Sequence, residues 1–124
     1  MDEGATPAAA RERLEHMLAA AEAIAGYVAR GRAAFDADPA VMDAMLFQLV
    51  VLGEAAKAAL QADPSLRARF PDVPWSPMAR VRDRTAHHYY QLDRDVVWDT
   101  ATIGVPAAGA AIRAALEAIS RAPS

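Results

Sequence analysis

The chain has 124 residues, a length that suits one domain with a genuine core. Apolar residues make up 54%, which excludes a wholly disordered chain, and a net charge of −3 excludes a global basic field for nucleic acid. With no cysteine there is neither a disulfide framework nor a thiolate metal site, which fits a reducing cytoplasm.

The charge is uneven. Residues 1–62 carry five basic and nine acidic side chains, and residues 63–124 carry eight and seven. Five arginines fall between Arg67 and Arg84, so a local basic patch can form where a global one is absent. Twelve of the thirteen basic residues are Arg, the better bidentate phosphate ligand, although a bias of the whole genome toward Arg accounts for the same count. Residues 1–8 read as a flexible tail. The N-terminus is acidic and has no apolar h-region, so it does not read as a signal peptide.

From Ala9 to about Arg30, the positions Leu14, Met17, Leu18, Ala21, Ile24, Ala25 and Val28 follow helical spacing and define an amphipathic helix. Gly31 fits its stop. Asp38-Pro39 fits the cap and first position of a second helix running to about Gln61. Its MLFQLVVLGEAAKAAL segment is apolar nearly all round, so the helix is buried on more than one side, and one side can face another subunit. Asp43, Gln48, Glu54 and Lys57 interrupt it, which rules out an ordinary membrane span.

Pro64, Pro71, Pro74 and Pro77 mark a connector with room for one helical turn at Ser65–Arg69. Ser76-Pro77 reads as the cap and start of a third helix that runs into Arg82–Tyr89. Asp93 caps a last helix with Val96, Val97, Thr100, Ile103, Ile112, Leu116 and Ile119 inward, and Gly104 and Pro106 predict a kink in it. No strand-like alternation, repeat or linker appears. The expected fold is an all-α up-and-down bundle of four main helices with a short connector helix, in one domain over residues 9–121.

Phosphate loops, HExxH and other metal-ligand spacings are missing, and no cofactor or metal is implied. Gln48 and Glu54 suit helix-to-helix hydrogen bonds or solvent, and His16 a half-buried surface position. The dense polar stretch is RDRTAHHYY, Arg82 to Tyr90. Arg82 and Tyr89 are seven residues apart and share a helix face, and His87 lies within reach of a long Arg side chain. Arg82, His87 and Tyr89 can converge there. Arg and His late in a helix also complement its dipole with no further function.

RDRTAHHYYQLDRDVVW resembles the Arg-x4-His-x-Tyr motif of HepT-like proteins in the HEPN superfamily. LGEAAKAAL resembles the Gly-Glu-Ala segment of their second helix, and FPDVPWSPMARVRD their Pro-Trp connector. Asp93, Val97-Trp98 and Pro106 match their last helix. The likeness covers roughly residues 11–120. Two registers compete, because His88 with Tyr90 fits an x5 spacing. Asp93 and Trp98 fall at the family's distances when His87 is the motif His, and Asp83 after Arg82 selects Arg82 over Arg80. The family usually has a polar residue, often Asn, where this chain has Asp83. That departure adds a negative charge that can weaken phosphate binding or pair with Arg82 or Arg84.

The resemblance implies a homodimer whose two motifs meet at a cleft and cleave RNA without a metal, as the toxin of a toxin–antitoxin pair. Arg82 would hold the scissile phosphate and His87 would transfer protons, with Asp83, Arg84 and His88 in support. It further implies a cognate nucleotidyltransferase antitoxin that attaches AMP to Tyr89 and so blocks the cleft. The expected setting is cytoplasmic and away from membranes. A non-catalytic nucleotide- or RNA-binding module is the alternative, and a helical dimerisation partner in which His87 only packs is a third.

Overall fold

The computed structural model describes residues 6–122. Residues 1–5, most of the expected tail, lie outside these, as do residues 123 and 124. The elements in chain order are α1 (Ala8–Val28), α2 (Arg32–Ala37), α3 (Pro39–Ala62), α4 (Leu66–Arg69) and α5 (Trp75–His88). A 3-10 turn at Tyr89–Gln91 follows, then α6 (Arg94–Asp99), a wide turn at Thr100–Gly104 and α7 (Val105–Arg121). The last three run on without a break, so the four main helices are α1, α3, α5 and α6–α7. No strand occurs among the described residues.

α3 is the central helix and packs against α1 and α5, while α1 also meets α7. The capping expected at Asp38 holds: its carboxylate accepts from the Ala40 N–H at 3.0 Å, and Pro39 opens the helix. Asp93 likewise accepts from Asp95 N at 2.8 Å and caps α6. These caps satisfy donors that a helix start would leave unpaired.

Several expectations change. α2 was not foreseen, because six residues without a side-chain cap carry no readable period. Gly31 ends α1 and opens α2 with φ of 88°, a left-handed conformation that favours glycine. α2 exists because Phe35 is fully buried, with its ring 5.2 Å from Trp98. The third helix starts at Trp75, not Pro77: Met78 N donates to the Pro74 carbonyl, and Ser76 is no cap but accepts from Arg67. In α1, Ala25 is exposed, while His16 sits half-covered at the surface as expected, its side chain 47% exposed. Val96 and Ile103, expected inward, are 51% and 70% exposed.

A π-type turn lies at Thr100–Gly104, with the Val105 N–H donating to the carbonyl of Thr100, five residues back. The buried positions Val97, Ala101, Val105, Ala108, Ile112 and Ala115 keep ordinary helical spacing through it, and Val96 and Ile103 fall off that stripe, about 100° from Val97 and about 200° from Ala101. Pro106 is absorbed by this widening, and the helix does not break. Pro39–Ala62 and Arg94–Arg121 are long and apolar enough to cross a membrane by length and composition alone, so the interrupting polar residues exclude less than the sequence pattern implied. In the bundle both helices supply core residues.

α3 and α5 touch at Gly53. A Cβ there would overlap the Arg82 Cβ and lie 2.8 Å from the Met78 carbonyl oxygen. Alanine is favoured over glycine in a helix by about 1 kcal/mol, but overpacking costs about 1–3 kcal/mol. Gly53→Ala is therefore expected to lower the urea midpoint with an unchanged slope. A midpoint at or above the parent's would mean the two helices part freely.

Candidate active site

α5 carries the motif because its apolar face, with Trp75, Met78 and Thr85 buried, anchors it against the bundle. Arg82 lies beside that face with a side chain only 23% exposed. His87 is five residues on, about 140° around the helix at about 100° per residue, and is exposed. The helix persists through His88, so the expected convergence of Arg82, His87 and Tyr89 does not occur within one chain. Among the described residues no hydrogen bond or ion pair joins Arg82 to His87 or Tyr89.

Arg82 is instead held by acids. Its Nε is buried and faces Glu54 Oε1 of α3 as an ion pair without an aligned hydrogen bond. Its Nη1 donates to Asp83 Oδ1 at 3.1 Å, and Lys57 Nζ lies 3.6 Å from the same oxygen. Glu54, Arg82, Asp83 and Lys57 thus alternate in sign along the α3–α5 seam. The hydrogen bond from Arg82, aided by Lys57, holds the Asp83 carboxyl below its usual range. Of these, Glu54 bridges α3 to α5 as an ion pair and not through the expected hydrogen bond, with its carboxylate half exposed to solvent. Lys57, read in the sequence only as a break in the apolar run, joins this network, and its place three residues after Glu54 on one α3 face could have indicated that role.

Tyr89 opens the 3-10 turn and is 69% exposed, as is Tyr90, with the two rings edge to face at 5.8 Å. His88 sits 6.4 Å, ring to ring, from Tyr90. Arg80 and Arg84 are exposed on the same side of α5 as His87, and neither has an acidic partner among the described residues. No group of three metal-ligating side chains occurs among the described residues.

Residues 17–115 match the model of the family described as "Ribonuclease HepT-like". The chain belongs to this family, within the HEPN superfamily. It is 35% identical over 69 residues to a "Putative RNase" of Methanocaldococcus jannaschii, covering 56% of this chain and 54% of that protein. It is 32% identical over 72 residues to a "Probable ribonuclease HepT" of Thermococcus cleftensis, covering 58% and 63%. A "Putative RNase" of Caldanaerobacter subterraneus is 29% identical over 72 residues, covering 58% and 62%. The chain thus spans between half and two thirds of these relatives. No solved structure matches it significantly.

Because Asp83 is depressed in the folded state, its contribution is present above the unfolded aspartate value and is lost as pH falls through the lower folded value. Asp83→Asn is therefore expected to be less stable than the parent above about pH 4, with the gap closing in more acid solution. Chemical denaturation across pH checks this; a gap that ignores pH would remove Asp83 from the network.

Proposed function

We propose that the chain is a metal-independent HEPN endoribonuclease, acting in the cytoplasm as the toxin of a toxin–antitoxin pair. The observation that carries this reading is an exposed His87, unused by the fold, two residues before an equally open Tyr89 at the free end of α5. Family membership supports RNA as substrate.

His87 takes the proton of a ribose 2′-OH. The 2′-oxygen attacks the adjacent phosphorus, a cyclic phosphate forms, and the 5′-oxygen leaves with a proton from a second acid. One His cannot serve both ends at once, and Arg82 points about 140° away from it. A homodimer resolves both problems, since a second copy brings its own His87 and Arg82 to the same cleft. The exposed Phe47 on apolar α3, 64% exposed, supports such an interface. Arg82 meets the phosphate by exchanging a carboxylate for it. The cognate nucleotidyltransferase antitoxin transfers AMP from ATP to the Tyr89 hydroxyl, which loses its proton as pyrophosphate leaves, and the added bulk excludes RNA.

The acids around Arg82 favour a second reading, a module that binds RNA or a nucleotide without cutting it. His87→Ala separates the two. The ribonuclease reading expects RNA cleavage to fall by about 100-fold or more, with dimer and helicity intact and the parent rate unchanged by chelator. Equal cleavage by the variant would remove His87 from the chemistry, and binding without any turnover in the parent would favour the module. For regulation, intact mass of the chain produced with and without its partner gene is expected to differ by one AMP on Tyr89; equal masses would remove that step.

A further inference from the structure

The motif leaves part of α5 unexplained. Arg84, His88, Gln91 and Leu92 line a hollow of about 240 Å³ where α5 passes into the 3-10 turn. Arg82 is neutralised by Glu54 and Asp83, but Arg84 has no acidic partner among the described residues. Its nearest acids are engaged elsewhere. Asp83 serves Arg82 and Lys57, and Asp93 accepts from the first N–H groups of α6.

The donors in this hollow share one chemistry. Arg84 offers a guanidinium fork, His88 an imidazole N–H in either charge state, and Gln91 an amide NH₂. All three suit phosphate oxygens, and Leu92 gives the hollow an apolar side. Tyr90 stands beside it, 6.4 Å from the His88 ring, with 69% of its surface open. Exposed rings next to unpaired cations make the combination that single-stranded nucleic acid uses, with bases stacked and phosphates paired. Arg80 continues the cationic line one turn back, on the order of 6 Å along the helix.

We propose that Arg84, His88 and Gln91 hold a phosphodiester of single-stranded RNA next to the cleavage position, with the adjoining base stacked on Tyr90. This rests on the ribonuclease reading for its ligand. It assigns Arg84 and Tyr90 to substrate binding and leaves the cleavage chemistry to Arg82 and His87. The subsite lies on the His87 side of α5, so a strand seated in it is delivered to His87, not to the acid-flanked side.

The test is binding of a short fluorescent 2′-O-methyl oligoribonucleotide, which lacks the nucleophilic hydroxyl and reports affinity without turnover. Arg84→Gln is expected to weaken binding about tenfold and to reduce the slope of affinity against salt by about one. Tyr90→Ala is expected to weaken it by about fivefold or more, with affinity restored in Tyr90→Phe, because stacking needs the ring and not the hydroxyl. Arg113→Gln, whose side chain pairs with Glu22 on another face, serves as the control and is expected to bind like the parent. Parent-like affinity in either Arg84→Gln or Tyr90→Ala, with helicity unchanged, overturns the subsite. Cleavage of unmodified RNA is read separately. Loss of binding in these variants of a chain that never cuts RNA would sink the ribonuclease reading and leave the subsite standing. Full binding by variants of a chain that does cut would do the reverse.

Discussion

The close approach of α3 and α5 at Gly53 governs the rest of the arrangement. With no side chain at 53, the Arg82 Cβ can sit against the α3 backbone. That contact fixes the rotation of α5 about its own axis. It turns Arg82 toward Glu54, buries Met78 and Thr85, and thereby sends Arg80, Arg84 and His87 outward. A helix rotated by one residue's step would expose Arg82 and bring Val81 or Asp83 into its place, and burying the Asp83 carboxylate would cost several kcal/mol unless it were paired. The glycine and the ion pair are two parts of one device, because the pair forms only where the backbones touch.

A second device joins α2 to the start of α6. Arg32 donates to Asp95 at 2.6 Å and to Asp36 at 3.0 Å, and those acids hold its guanidinium more firmly protonated than usual. Arg94 donates to the Phe35 carbonyl at 2.6 Å and lies 5.0 Å from its ring centroid. The exposed pairs are individually weak. Their work is to close the short α2 over Phe35 and Trp98, and so to fix where α6 begins. α6 in turn sets the path of the turn that follows α5, so this packing reaches the candidate site indirectly.

Much of this was legible in the residues. Asp38-Pro39 and Asp93 announced helix starts through capping chemistry that acts over three or four residues, and the period of α1 located Leu14, Met17 and Ile24 correctly. Local signals failed where tertiary contacts decided. Phe35 looks like one aromatic in a polar loop, and only the distant Trp98 makes it core. Val96 and Ile103 are apolar but lie off the stripe that Val97, Ala101 and Val105 keep against the bundle. At the site, sequence spacing named the cluster but not its geometry. Arg82 and His87 are near neighbours in the chain and face different ways on the helix, and nothing local to α5 predicts that Glu54 will claim the guanidinium.

The acids around Arg82 raise the question of how a phosphate could compete for it. The Glu54 pair engages the buried Arg82 Nε and is kept, whereas Asp83 is 53% exposed and its pair is screened by water, a kind that contributes about 0–1 kcal/mol. Giving up the Asp83 pair costs little, and the freed carboxylate is rehydrated. Asp83 also keeps Lys57 when Arg82 turns away. In the proposed dimer cleft, a phosphodiester would gain a charge-assisted, two-pronged bond in a drier setting, where the same Coulomb attraction is larger. The exchange would favour phosphate only once that cleft excluded water. In open solvent the acids hold Arg82 in place and repel stray anions, while the unpaired Arg84 can meet an anion first. Masking and binding are compatible because they act in different dielectric surroundings.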